Sequence, residues 1–230
     1  RQIDDAAKVL VLDAVEYASR AGHKLAKAIE QFGQLDIQGK VCLDVGASTG
    51  GFTDVLLRSG AALVVAIDVG HDQMVEELRQ NPKVICLEGV NAREVTLENL
   101  VSRTHRQFDE QSFEMVVADV SFISLTLVLP AVARVAPSSE MVLLVKPQFE
   151  VGKDSLNATG IVNDHRLRAM AIKQVADCST ELGFGIRGLL KSELPGTHGN
   201  VEYLLWISSS EPINASKWTD RIEAIAREVK

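Results

Sequence analysis

Seven short apolar runs recur along this chain, mostly at intervals long enough to hold a helix, and that spacing restricts the fold more than any other feature. The runs are Val41 to Val45, Leu63 to Asp68, Val84 to Leu87, Phe113 to Asp119, Met141 to Val145, Phe184 to Leu190 and Val201 to Ser208. Nearly continuous apolar runs suit strands buried on both faces, and strands alternating with helices imply a mostly parallel sheet covered on both sides. Helical patterns fall at Phe52 to Arg58, Met74 to Arg79, Leu125 to Val135 and about Asp164 to Leu182, the last with Asp164 as N-cap and Gly183 as stop. An opening helix places Leu25, Ala28, Ile29 and Phe32 on one face before Gly33 ends it. Only Lys191 to Asn200, with Pro195, Gly196 and Gly199, separates the last two runs. A loop that short cannot carry a crossover helix, so this pair is expected to be antiparallel. The expected class is α/β: a seven-stranded, mostly parallel sheet with an antiparallel last strand and helices on both faces.

A chain of 230 residues with 46% hydrophobic content can bury about 70% of its unfolded surface in one domain. Its longest apolar runs fall far short of the roughly 18 residues that suggest a membrane span. Cys42, Cys86 and Cys178 lack metal-ligand spacing and read as reduced packing residues of a cytoplasmic protein. Asn157-Ala158-Thr159 and Asn214-Ala215-Ser216 match glycosylation acceptors by chance in a chain without a secretion signal. The opening Arg1-Gln2-Ile3-Asp4-Asp5 is neither a signal peptide nor an initiation site, so a further N-terminal portion is expected upstream of it.

Chemistry enters at the end of the first run, in Leu43-Asp44-Val45-Gly46-Ala47-Ser48-Thr49-Gly50-Gly51-Phe52-Thr53. An acid closing a strand before a glycine-rich turn suits a bound nucleoside. Ala47 and Ser48 break the G-x-G-x-x-G spacing of a dinucleotide site, so the turn fits S-adenosyl-L-methionine better than NAD. Asp44 stands where a carboxylate can meet the cofactor's ammonium, and Gly46, Gly50 and Gly51 permit close backbone approach; Ser48 and Phe52 complete the turn. Asp68 ends the second run 24 positions after Asp44, near the about 20-residue offset of an acid that grips ribose hydroxyls. Open α/β sheets place ligands at the carboxyl ends of their strands. Asp119 and Lys146 end the fourth and fifth runs, an antiparallel last strand would return Glu202 to the same edge, and Lys24 rides on the first helix.

Five separated blocks carry a resemblance: Ser19-Arg20-Ala21-Gly22-His23-Lys24, the Leu43 to Thr53 turn, Ala118-Asp119-Val120-Ser121-Phe122-Ile123-Ser124, Val145-Lys146-Pro147-Gln148-Phe149-Glu150 and Gly199-Asn200-Val201-Glu202-Tyr203. Between about Tyr17 and Trp206 the chain resembles the FtsJ-type ribose 2'-O-methyltransferases, in particular the TlyA-like rRNA methyltransferases, also labelled hemolysins. The resemblance implies a Rossmann-like S-adenosylmethionine-dependent methyltransferase fold over residues 17–230, with residues 1–16 as a linker remnant after an upstream RNA-binding domain. By motif it implies a catalytic tetrad of Lys24, Asp119, Lys146 and Glu202, with Asp119 also near the cofactor. Its substrate would be a ribose hydroxyl of ribosomal RNA, on a cytidine, in naked rRNA or ribosomal subunits. The segment His71-Asp72-Gln73-Met74-Val75-Glu76-Glu77 departs from the family's usual Tyr-Gly-Gln-Leu and is more acidic.

Methyl transfer to a ribose requires alignment of the hydroxyl with the sulfonium methyl and removal of its proton. Alignment can supply roughly 7–11 kcal/mol, against about 10²–10⁴-fold from a positioned base. Lys146 is the candidate base, yet a lysine of ordinary pKa is neutral only about once in 2,500 at pH 7. Lys24 would lower its pKa while Asp119 and Glu202 raise it, so Lys146 is either the base or a cation that stabilises the forming alkoxide. Twenty-four Lys and Arg against 31 Asp and Glu give a net charge of −7, an unusual balance for an RNA enzyme. RNA contact is therefore assigned to a local rim of Arg20, His23, Lys27 and Lys153, with Arg166 and Arg168 flanking it and Phe149 available to stack on a base. The acidic charge alone would suit a small-molecule methyltransferase. A membrane-lytic protein would need an amphipathic basic helix or a span, and the sequence has neither.

Overall fold

The structure, a computed structural model, describes residues 16–152, 156–157 and 159–228. A seven-stranded sheet runs through it: β1 (Val41–Val45), β2 (Leu63–Asp68), β3 (Val84–Glu88), β4 (Met115–Ala118), β5 (Glu140–Val145), β6 (Gly185–Lys191) and β7 (Tyr203–Ser208). The order across the sheet is β3-β2-β1-β4-β5-β7-β6. The first five strands are parallel, and β7 lies antiparallel between β5 and β6. Both features match the expectation from the strand spacing.

Eight α-helices are described: α1 (Arg20–Phe32), α2 (Gly51–Arg58), α3 (Glu76–Arg79), α4 (Leu97–Thr104), α5 (Leu125–Val135), α6 (Pro147–Glu150), α7 (His165–Glu181) and α8 (Thr219–Arg227). Two apolar layers hold them to the sheet. On one side Leu43, Val65, Val116, Leu143 and Tyr203 meet α5, α7 and α8 through Leu129, Ile172 and Ile225. On the other, Cys42, Val64, Met115, Val142 and Trp206 meet α1 and α2 through Leu25, Ala28, Val55 and Leu56. Alternate residues of one strand thus feed opposite layers, as the pleat requires. Among the described residues no helix is long and apolar enough to cross a membrane.

Several boundaries differ from the sequence reading. β4 is Met115–Ala118, so Asp119 stands one residue beyond it, although its N–H still bonds Val45 O at 3.0 Å. Phe113 leaves the strand to stack on Phe108, with ring centroids 5.0 Å apart. Glu202 likewise precedes β7, and Met74 is a buried residue ahead of the single turn Glu76–Arg79. The sequence reading missed α4 and α8. Their signals are an N-cap at Thr96, which accepts from Asn99 N–H, and Ile222 and Ile225 spaced as one helix face. Residues 1–15 and Lys153 lie outside the described residues.

Candidate active site

The carboxyl ends of β1, β2, β4 and β5 open onto two adjoining cavities. The larger, about 600 Å³, is walled by Gly46, Ser48, Asp68, Val69, Asn91, Arg93 and Val120. The smaller, about 290 Å³, is walled by Arg20, Lys24, Gly51, Phe52, Lys146, Gly196 and Glu202. Gly46, Ser48, Asp119 and Ser121 line both, so the cavities share a seam.

Local chain geometry explains the cradle on that seam. Gly46 has φ +84°, and a Cβ there would lie 2.6 Å from the carbonyl oxygen of Asp119, so only glycine lets β1 and β4 end this close together. Ser48 also adopts a positive φ, 47°. It is held there because its N–H donates to Asp68 Oδ2 at 2.8 Å and its hydroxyl bonds Gln73 Oε1 at 3.0 Å. Asp68 Oδ1 accepts from Gly70 N–H at 2.7 Å. Its carboxylate therefore faces the large cavity already oriented, each oxygen keeping a lone pair for a ligand hydroxyl. Gly50 and Gly51 serve packing: side chains there would meet Leu78 and Ser19, respectively. Phe52 is buried, with its edge on the small cavity.

Asp44 is placed differently from the sequence picture. It is fully buried and lines neither cavity; Oδ2 accepts from Thr53 Oγ1 at 2.6 Å, and Oδ1 has no partner. Burial pushes its carboxyl up to about 7, with the Thr53 hydrogen bond opposing. The native protein keeps a proton that the unfolded chain loses near about pH 3.9, so the stability from neutral Asp44 is complete below that pH and is lost as pH rises to about 7. Asp44→Asn should therefore gain stability relative to the parent across that window and hold the gain above it. Thermal melts at intervals from pH 4 to 8 check this; a pH-independent difference would contradict the buried charge.

The tetrad residues assemble as two ion pairs. Lys24 Nζ lies 2.5 Å from Glu202 Oε2, both nearly enclosed, and Lys146 Nζ lies 2.6 Å from Asp119 Oδ1. The antiparallel register explains the second strand's contribution. Val145 pairs with Tyr203, so the next residues outward on each chain, Lys146 and Glu202, meet at the cavity edge. Lys24 arrives from α1, whose N-terminus is locked to α2: Ser19 caps it, and Gly22 would clash with Tyr17 and approach Gly51 O if it carried a Cβ. Ala18 N–H donates to Asp54 Oδ2 at 3.0 Å and Arg58 pairs with Asp54, completing the strap. Gln148 Nε2 sits 3.5 Å from Glu202 Oε1.

The rim is less uniform than its sequence suggested. Arg20 lines the small cavity and donates to Pro195 O at 3.2 Å. His23 packs edge-on against Tyr17, and with Lys27 it borders a separate groove between α1 and the β6–β7 hairpin; Lys27 bonds Glu30. Arg168 departs from the rim expected of it: it is buried, donating to the carbonyls of Val162, Asn163 and Ala226, and is a structural tie rather than a surface cation. Phe149 is half-buried, with Lys146 Nζ 5.8 Å from its centroid. Outside it stands Phe122, 91% exposed at φ +64°, its ring centroid 5.2 Å from that of Phe149. The sequence reading passed over Phe122 because it sat inside a matched block; an aromatic flanked by Ser121 and Ile123 after a strand end was its only signal. Of the pair, Phe122 offers the open face.

A nucleoside-sized cavity with an oriented carboxylate, joined to a pocket of paired lysines and acids at the strand ends of a 3-2-1-4-5-7-6 sheet, defines the methyltransferase class of α/β proteins. The chain belongs to the FtsJ-like methyltransferase family, whose pattern matches residues 17–209. It is 47% identical over 206 residues to the 16S/23S rRNA (cytidine-2'-O)-methyltransferase TlyA of Mycobacterium tuberculosis, covering 89% of this chain and 73% of that protein. It is 39% identical to Hemolysin A of Brachyspira hyodysenteriae, covering 88% and 81% of the two chains. A solved structure of a hemolysin-named protein from Streptococcus thermophilus superposes with TM-score 0.83 at 36% identity, covering 93% of this chain and 74% of that one.

Proposed function

We propose that this chain transfers the methyl group of S-adenosyl-L-methionine to the ribose 2'-hydroxyl of a cytidine in ribosomal RNA, acting in the cytoplasm on rRNA or ribosomal subunits. The observation that carries the proposal is the seam: the cofactor-sized cavity opens onto the Lys24–Glu202 and Asp119–Lys146 pairs along one wall of four residues. The naming of the M. tuberculosis relative as an rRNA (cytidine-2'-O)-methyltransferase supports the substrate class.

The residues present fit the cofactor. Asp68 would hold ribose hydroxyls, the glycine-relieved approach at Gly46 would admit the methionine portion, and the partnerless Oδ1 of buried Asp44 lies below that turn. When bound, S-adenosyl-L-methionine supplies an electrophilic methyl group on a sulfonium. Lys146 would act on the incoming hydroxyl, either accepting its proton or stabilising the alkoxide, and Asp119 holds the lysine in place. Lys24 and Glu202 neutralise each other at the pocket's far wall and fix its shape. Two acids beside two lysines keep the pocket near neutral, so it does not repel a phosphodiester as an acidic pocket would. The −7 charge of the whole chain is spread elsewhere.

The test is transfer of labelled methyl groups to naked rRNA, to intact small and large ribosomal subunits and to a panel of small hydroxylated metabolites. Labelled RNA in at least one ribosomal substrate is expected. Labelling confined to the metabolites would leave the cofactor site intact and overturn the RNA assignment.

A further inference from the structure

We propose that Ser121 is a positioning residue for Lys146, fixing the lysine nitrogen at the seam where the ribose hydroxyl must arrive; this rests on the ribose-methylation reading above. Lys146 Nζ donates to Ser121 Oγ at 2.8 Å. Its contact with Asp119 Oδ1 is a close ion pair, but that oxygen accepts no hydrogen bond of good geometry. The serine hydroxyl therefore supplies the directional part of the hold and Asp119 the electrostatic part. An ammonium carries three N–H groups on a freely rotating stem, and a carboxylate alone leaves its rotation free. Ser121 and Asp119 stand two residues apart on one loop, so they fix Nζ from the β4 side.

That loop is itself held. The Glu150 carboxylate accepts from Ser124 Oγ and from Leu125 N–H, the latter at 2.9 Å. Glu150 belongs to the α6 turn that begins directly after Lys146. The contacts close a ring, from Lys146 to Ser121 to Ser124 to Glu150 and back along α6. Ser121 is exposed and lines both cavities, so it contributes nothing to the apolar core. Truncating it should leave the fold intact and release only the lysine.

Ser121→Ala should lower the single-turnover rate at saturating RNA by about 10–10²-fold, the scale of a small misplacement of a reacting group. The KM for RNA and the Kd for S-adenosyl-L-methionine should stay within about twofold, and Ser121→Thr, which keeps the hydroxyl, should recover most of the rate. A readout independent of catalysis is NMR of the protein with isotope-labelled lysine. The Lys146 side-chain signals should be dispersed in the parent and in Ser121→Thr, and should collapse toward free-lysine positions in Ser121→Ala. A Ser121→Ala rate equal to that of the parent, equal losses in the Ala and Thr variants, or a loss confined to cofactor affinity would each overturn the proposal. Absence of ribose methylation by the parent would strike the RNA reading instead, and the NMR comparison would still decide the role of Ser121.

Discussion

Lys146→Ala is expected to lower the single-turnover rate of methyl transfer by at least about 10²-fold, the low end of what a positioned base or a preorganised cation supplies. Cofactor affinity should stay nearly unchanged, because Lys146 lines the smaller cavity and not the larger one. The variant leaves the buried Asp119 Oδ1 without its cation, but the rest of that side chain is partly exposed and removing the lysine opens it to the smaller cavity, so the fold should survive; a thermal melt provides the check. Lys146→Arg separates the two chemical roles. An arginine cannot give up its proton in a protein, so substantial activity in that variant would identify a cation, and a loss as deep as that of alanine would identify a base. Single-turnover rates near the parent in Lys146→Ala would remove both roles.

The second large effect is expected at Asp68. Its carboxylate accepts backbone N–H bonds from Ser48 and Gly70 and faces the larger cavity. Each hydrogen bond that a charged carboxylate accepts from a ribose hydroxyl contributes about 1.5–3 kcal/mol, so losing two should weaken S-adenosyl-L-methionine binding by about 10²-fold or more. Asp68→Ala should also loosen the Ser48 turn, which is held at positive φ by that carboxylate. Asp68→Asn should fall between parent and alanine, since an amide oxygen still accepts one of the bonds. Isothermal calorimetry on folded variants decides the matter: parent-like affinity in Asp68→Ala would exclude it from the cofactor site.

The sheet was legible because its information is local and repetitive. Runs such as Val41–Val45 and Leu63–Asp68 are apolar on both faces and end at turn residues, so the structure reproduces their bounds. The antiparallel β7 followed from the length of one loop, and with it the return of Glu202 to the edge shared by Lys146. Residues identified from strand ends were legible for the same reason, since strand direction alone decides which edge they reach. What the sequence did not reveal depends on contacts across the fold. Asp44 closes a strand like Asp68, yet Asp44 is sealed beneath the turn by Thr53 while Asp68 faces a cavity. Arg168 reads as a surface cation until α8 brings the Ala226 carbonyl to it. Ser121 gained its importance from a lysine 25 positions away, and Phe122 from the ring of Phe149. Helices α4 and α8 carry short apolar faces in polar segments, too brief to stand out against loop composition.

The central claim is that the seam between the cavities delivers a methyl group to a ribose oxygen and not to a base. The most direct measurement is nucleoside analysis of rRNA after reaction with labelled S-adenosyl-L-methionine, with mass spectrometry separating 2'-O-methylcytidine from base-methylated cytidines. The account predicts label in 2'-O-methylcytidine, present with the parent enzyme and lost with Lys146→Ala. Label on a base, or 2'-O-methylcytidine formed equally by Lys146→Ala, would contradict it.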